Sequence, residues 1–159
     1  MKFVPVLNLI MDIIVEALKF DEESGRVGLE ALGELTNAHA EIWKNPAKLL
    51  EITAEVMKHN KFEDGTRSAA TEVLLALSSN MPAVLRKAEQ MKTCVFPALA
   101  TMLMEVEQDD ATWESMEEDV DMVGKDPVAT AMSSLMRLSE DLGAKTTIAC
   151  TDQIIAELL

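Results

Sequence analysis

Apolar residues along this chain recur at intervals of three and four, and short polar clusters interrupt them at similar distances. Val6, Leu9, Ile10, Ile13, Ile14 and Ala17 carry that spacing from Pro5 to Leu18, which predicts a first amphipathic helix with this stripe turned inward. Pro5 suits an opening turn, where its missing N–H leaves no bond unmade. Phe20 to Gly25 reads as a polar turn. A second helix follows from about Arg26 to Ala38, with Ala31, Leu32 and Leu35 inward. Gly28 and Gly33 weaken it locally and permit close helix contact.

The pattern then starts again. Asn45 caps and Pro46 opens a third helix reaching about His59, built on Leu49, Ile52, Thr53 and Val56. Phe62 to Gly65 turns the chain. A fourth helix from about Thr66 to Ser79 places Ala70, Val73, Leu74 and Leu77 inward. Met81-Pro82 breaks it, and a short turn carries Val84 and Leu85. A fifth helix covers about Met91 to Glu107, where Pro97 either kinks the helix or marks a second start. Two later helices are expected, from Pro127 to Leu142 and from Ala144 to Leu159, the last with Ile148, Ile155 and Leu158 on one stripe. In all, seven or so helices and no strand are predicted.

These elements repeat one another. Glu30-Ala31-Leu32-x-x-Leu35 matches Glu72-Val73-Leu74-x-x-Leu77 at an offset of 42 residues (30 to 72). Phe3-Val4-Pro5 matches Val95-Phe96-Pro97 two units later. Leu135 and Leu138 take the places of Leu74 and Leu77, but at an offset of 61 (74 to 135). The excess corresponds to an insertion of about 108–125 in one hairpin turn. A period in the forties with two helices per unit points to HEAT- or armadillo-type repeats, and the absence of a short third helix favours HEAT. The predicted fold is therefore an all-α HEAT-repeat solenoid, a right-handed α-α superhelix of about three hairpins (3–42, 45–80 and 84–142) plus an unpaired helix over 144–159. A natural solenoid closes on a polar cap. Glu157-Leu158-Leu159 is not one, which suggests a segment of a longer chain.

Composition agrees with an all-α core. Hydrophobic residues make up 48% of 159, with only 6 Gly, no Tyr and 4 Phe. That is enough apolar material to bury a core, and it is poor in strand formers. The net charge of −14 excludes a free-standing nucleic-acid binder and favours Lys- and Arg-rich protein partners. Cys94 and Cys150 sit in apolar surroundings outside any C-x-x-C pair and read as reduced, buried thiols. No apolar run approaches the ~20 residues of a membrane span, and the first residues lack a signal peptide's uninterrupted apolar stretch.

The chemistry-bearing segment is the insertion. Glu105, Glu107, Asp109, Asp110, Glu114, Glu117, Glu118, Asp119 and Asp121 occur with no basic residue among them, and Trp113 and Met116 lie inside the run. One reading is a solvated loop. Another is an acidic arm laid over a basic partner, with Trp113 as its anchor. A calcium loop needs Gly at its sixth position and Glu at its twelfth, and neither Asp109 nor Glu117 opens such a frame. Phosphate-binding, metalloprotease and nucleophile-elbow motifs are missing. His39 and His59 lie near the ends of different helices without a ligand at metal spacing, and read as helix-terminal surface groups. No catalytic residue, metal site or cofactor is expected, and the chain is not read as an enzyme. The eleven Met are scattered through apolar faces as packing residues.

An ordered series of residues resembles a known family. Glu63-x-Gly65-Thr66-Arg67 opens a helix continuing through Glu72-Val73-Leu74-x-x-Leu77-Ser78. Met81 and Leu85-Arg86-Lys87 follow, then Phe96-Pro97-x-Leu99-x-x-Met102, an acidic stretch holding a Trp, and Leu142-Gly143-x-Lys145. This series resembles the importin-beta (karyopherin-beta) superfamily, nearest to its importin-five (karyopherin beta-three) branch, over nearly the whole chain. The resemblance implies a portion of the N-terminal half of a nuclear transport receptor that binds basic protein cargo and Ran in its GTP form. Such a receptor also touches Phe-Gly repeats of nucleoporins and shuttles between cytoplasm and nucleus. It implies contact with neither nucleic acid nor membrane. It assigns partner binding to the acidic segment, here Asp109, Asp110, Trp113, Glu114, Glu117, Glu118, Asp119 and Asp121. Second helices of such hairpins line the concave face, which makes Arg26, Glu30, Glu34, Glu72 and Arg137 candidates there. Met136-Arg137 stands where relatives carry Asp-Arg, and Gly143-Ala144 replaces Gly-Gly, the marks of a divergent member. The rival class is a HEAT scaffold subunit of a stable assembly, such as a phosphatase regulatory subunit.

Overall fold

Each helix begins and ends where local chemistry stops the backbone ladder. The computed structural model describes residues 3–105 and 126–158. Among these lie α1 (Phe3–Phe20), α2 (Glu22–Ala38), α3 (Ala47–Lys58), α4 (Asp64–Asn80), the single turn α5 (Pro82–Leu85), α6 (Phe96–Leu103), α7 (Pro127–Leu142) and α8 (Ala144–Leu158). A 3-10 turn, Ala40–Ile42, follows α2, and one widened turn, Met91–Val95, runs directly into α6. No strand occurs among the described residues.

The N-cap of α3 is Pro46, one residue later than the expected Asn45, and the helix opens at Ala47. Asn45 Oδ1 accepts from the Ala47 amide at 3.2 Å. Asp126 accepts from the Val128 and Ala129 amides at 3.1 and 3.3 Å, which together with Pro127 in the first turn starts α7. Gly143 ends α7 with φ of 79°, a left-handed conformation suited to a residue without Cβ. The widened turn resolves the two readings of Pro97. It relieves the clash between the proline ring and the carbonyl four residues earlier, so the residue marks a second start.

α2 begins four residues earlier than the pattern suggests. Asp21 is extended and Glu22 and Glu23 occupy the first turn, where negative charge complements the helix dipole. Gly25 is therefore no turn residue. A Cβ there would sit 2.5 Å from Leu18 Cδ2 and 2.9 Å from its backbone, so the glycine is what lets α2 close on α1. Gly28 does the same against Ile14.

The hairpins α1–α2, α3–α4 and α6–α7 stack in layers. The second helices α2, α4 and α7 lie side by side, and among the first helices α3 packs on α6 and α6 on α8. Leu32, Leu74, Leu77 and Leu138 are buried, while Leu35 and Leu135 are half-buried against the same core. The fold is an all-α, HEAT-like repeat solenoid. Two inward assignments are corrected. In α1 the buried stripe is Leu7, Met11, Ile14 and Leu18, whereas Val6, Leu9 and Ile13 are more than half exposed. That helix is apolar around most of its circumference, so periodicity alone does not select the arc that meets a partner. Ala31 is exposed as well, and Leu29 and Thr36 take the inward places beside Leu32.

Several polar groups inside the stack are paired. Trp43, 3% exposed, donates its indole N–H to Thr36 Oγ1 at 3.0 Å, closing the linker after α2. Arg86 donates to the last carbonyls of α7, Leu142 O at 2.9 Å and Asp141 O at 2.8 Å, groups that the helix itself leaves unsatisfied. Ser78 and Ser79 of α4 donate to the Asp141 carboxylate at 2.6 and 3.1 Å.

Candidate partner-binding groove

Side by side, α2 and α4 leave a groove on the second-helix face with a volume of about 360 Å³. Leu29 and Ala69 form its floor. Glu30, Glu34 and Asn37 rise from α2, and Asp64, Ser68 and Glu72 from α4. Gly33 and Gly65 line it without side chains, and at the exposed Gly65 backbone is within reach of a bound segment. The 42-residue repeat explains the arrangement. Glu30 and Glu72 are equivalent positions of successive second helices, so stacking in register places like charges on the same face.

The basic residues of this face are engaged. Arg26 donates to Glu23 at 2.5 and 3.0 Å and to Glu30 at 2.7 Å. These bonds, Glu23 first, hold its guanidinium above the ordinary arginine range. Arg137 reaches Glu72 at 3.4 Å from the neighbouring layer. Glu34 has no ion-pair partner among the described residues. The groove thus brings together Glu30, Glu34 and Glu72, with Arg26 and Arg137 at its edge through their bonds to Glu30 and Glu72, and its balance is acidic. Such a groove attracts Lys and Arg side chains and repels phosphate.

A second, larger groove of about 700 Å³ lies on the first-helix side between α1 and α3. Val15, Leu18, Ile52, Val56 and Phe62 supply its apolar lining, and Lys19, Glu22, Glu51, Glu55, His59 and Lys61 its polar rim. Glu55 accepts from Lys58 and His59, and these bonds, Lys58 first, hold its carboxyl below the usual range. Lys61 Nζ stands 4.7 Å from the centre of the Phe62 ring, a cation–π distance. Periodicity files Ile52 and Val56 with the core. The available signal for the groove was Phe62, a large aromatic in a turn.

The acidic segment residues Asp109, Asp110, Trp113, Glu114, Glu117, Glu118, Asp119 and Asp121 lie outside the described residues. Glu105, counted with that run by charge alone, does not belong with it. Its carboxylate accepts both terminal nitrogens of Arg67 at 2.7 Å each. Arg67 is 2% exposed and also donates Nε to Met57 O at 2.8 Å. One guanidinium thus ties the end of α3, the start of α4 and the exit of α6 together in the planar, two-bond geometry that favours arginine. The sequence signal was present. Arg67 continues the stripe of Ala70, Leu74 and Leu77, where a charge is unexpected unless paired.

No cluster of His, Cys, Asp and Glu able to hold a metal occurs among the described residues. None of their helices is long and apolar enough to cross a membrane. Burial raises the Cys150 thiol above its ordinary range, which favours its protonated form.

The family model described as importin repeat matches residues 59–149. That span covers more than half of the chain and includes α4, α6 and α7, so the protein belongs to the importin-repeat family. No curated protein and no solved structure matches the chain.

Proposed function

We propose that this chain is part of a nuclear transport receptor of the importin-five branch and holds a basic segment of protein cargo in the groove between α2 and α4. The supporting observation is the convergence of Glu30, Glu34, Asp64 and Glu72 on one groove in a chain of net charge −14 that carries the importin repeat. The cargo's lysines or arginines meet the carboxylates, and the exposed backbone at Gly65 lets an extended segment lie close. The acidic residues from Asp109 to Asp121 add a second attraction, with Trp113 as an apolar anchor. The larger groove between α1 and α3 favours a second contact of the same receptor. Its apolar lining beside Phe62 suits the phenylalanine of a nucleoporin Phe-Gly repeat. Ran in its GTP form binds the same receptor, which shuttles between cytoplasm and nucleus.

The test is a titration of a fluorescent Lys/Arg-rich peptide at low and high salt against wild type and Glu34→Gln/Glu72→Gln. Binding weakens with salt, because the Debye length falls from roughly 10 Å at 0.1 M to roughly 3 Å at 1 M. The variant loses several-fold in affinity at low salt. Unchanged affinity in the variant removes the groove from the proposal. Pull-down with GTP-locked Ran and nucleoporin fragments separates a transport receptor from a scaffold subunit, which instead retains one stoichiometric partner.

A further inference from the structure

Four carboxylates line the groove between α2 and α4, and two of them are already committed. Glu30 accepts from Arg26 at 2.7 Å and Glu72 faces Arg137 at 3.4 Å. Glu34 has no ion-pair partner among the described residues. The fourth is Asp64, 51% exposed at the start of α4. Whether Asp64 is available to a ligand is decided beneath the groove. The guanidinium of Arg67, one turn further along α4, is 2% exposed and stands 4.0 Å from Asp64 Oδ1.

That distance is longer than a hydrogen bond. Arg67 is instead spent on Glu105, which accepts both terminal nitrogens at 2.7 Å, while Nε bonds Met57 O at 2.8 Å. Two carboxylates thus stand near one buried cation, and the one from the exit of α6 holds it. The planar, two-bond pairing cancels the charge of the arginine, so Asp64 keeps its own charge for the groove. Arg67 is fixed by burial and by the Met57 carbonyl. The backbone beside Asp64 is fixed from the first layer, where Glu22 Oε1 accepts the Glu63 amide at 2.7 Å. The exposed side chain of Asp64 is the part able to turn, and it is only about 1 Å short of hydrogen-bond distance from Arg67.

We infer that Glu105 is a positioning residue for the groove. By holding Arg67 it leaves Asp64 to pair with a bound basic segment. Loss or neutralisation of Glu105 turns Asp64 onto Arg67 and removes one of the two uncommitted carboxylates. The inference rests on the basic-segment reading and adds to it a control exerted from the exit of α6, by a residue that does not line the groove.

Titration of the fluorescent Lys/Arg-rich peptide at low salt tests this with wild type, Glu105→Gln, Asp64→Asn and the two combined. Glu105→Gln lowers affinity about two- to fivefold, the size of one exposed ion pair. Asp64→Asn lowers it as much, and the combined variant loses no more than Asp64→Asn alone. Losses that multiply show Glu105 acting through its own distant charge, and an unchanged Glu105→Gln shows it not acting at all; either result overturns the inference. Arg67→Met/Glu105→Gln separates the effect from damage to the fold. It lacks both members of the pair yet binds as wild type does, because nothing remains to draw Asp64 away. If it stays weak while its circular dichroism is native, the inference is also overturned. A further measurement needs no peptide: in guanidinium nitrogen NMR spectra, Asp64→Asn moves the Arg67 resonances further in Glu105→Gln than in wild type. A wild type that binds no peptide sinks the groove reading and the inference with it. A wild type that binds, with no such added shift in Glu105→Gln, sinks the inference alone.

Discussion

Removing Glu105 should destabilise this protein more than removing its buried partner Arg67. Glu105→Ala leaves a guanidinium that is 2% exposed without the carboxylate that accepts two of its bonds at 2.7 Å. Stranding a buried charge costs about 3–5 kcal/mol. Here Arg67 keeps the Met57 carbonyl, and Asp64 stands 4.0 Å away. The side chain of Glu105 is 25% exposed, so solvent already screens part of the pair. The expected loss is therefore about 2–3 kcal/mol, roughly 4–12 °C in melting temperature for a chain of this size. Arg67→Met refills the same channel with an apolar stem, and the freed Glu105 rehydrates where it stands. That change should cost about 1–2 kcal/mol, mostly for the Met57 carbonyl left without a donor. Urea unfolding followed by circular dichroism, with the double variant closing a thermodynamic cycle, measures both losses and their coupling. An Arg67→Met loss equal to or larger than that of Glu105→Ala would refute the stranded-charge argument, as would coupling near zero.

Four further outcomes follow from the packing and the surface pairs. Leu74→Ala, at a fully buried position, should cost about 2–5 kcal/mol in the same unfolding assay. Gly25→Ala should destabilise by about 1–3 kcal/mol, because its methyl meets the Leu18 backbone. Gly33→Ala meets Val73 only at ordinary contact distance, 3.7 Å, and should be neutral or stabilising by up to about 1 kcal/mol through helix propensity. The Glu55 carboxyl, held below its ordinary value of 4.5 by Lys58 and then His59, contributes stability above that value and loses it as pH falls through the lower folded value. A carbon-detected NMR titration should place its midpoint below that of a free glutamate, and Lys58→Met should move it upward.

The acidic groove was partly legible before any coordinates. The offset between Glu30 and Glu72 already placed both on equivalent faces of successive second helices, and Glu34, one turn from Glu30, shares that face. The contributions of Asp64 and Gly65 were not legible, because α4 begins in what reads as a turn. Nor was the groove between α1 and α3, whose lining residues are indistinguishable from core residues by spacing alone.

What the chain determines by itself is local. Alternation at three and four residues sets the helices. Asp126 with Pro127 starts α7 and Gly143 ends it, and the recurrence of Leu32 and Leu35 as Leu74 and Leu77 sets the hairpin repeat. Each of these signals acts within a turn or two of backbone, so it survives without knowledge of neighbours. Tertiary structure decided the rest. It chose Leu7, Met11, Ile14 and Leu18 over Val6, Leu9 and Ile13 as the buried arc of α1. It drew α2 back to Glu22 by seating Gly25 on Leu18, and it turned Glu105 from one acidic residue among nine into the partner of a buried arginine. These outcomes depend on which surfaces meet across distant stretches of chain. A helix that is apolar on several sides, or a charge with several possible partners, leaves that choice to packing.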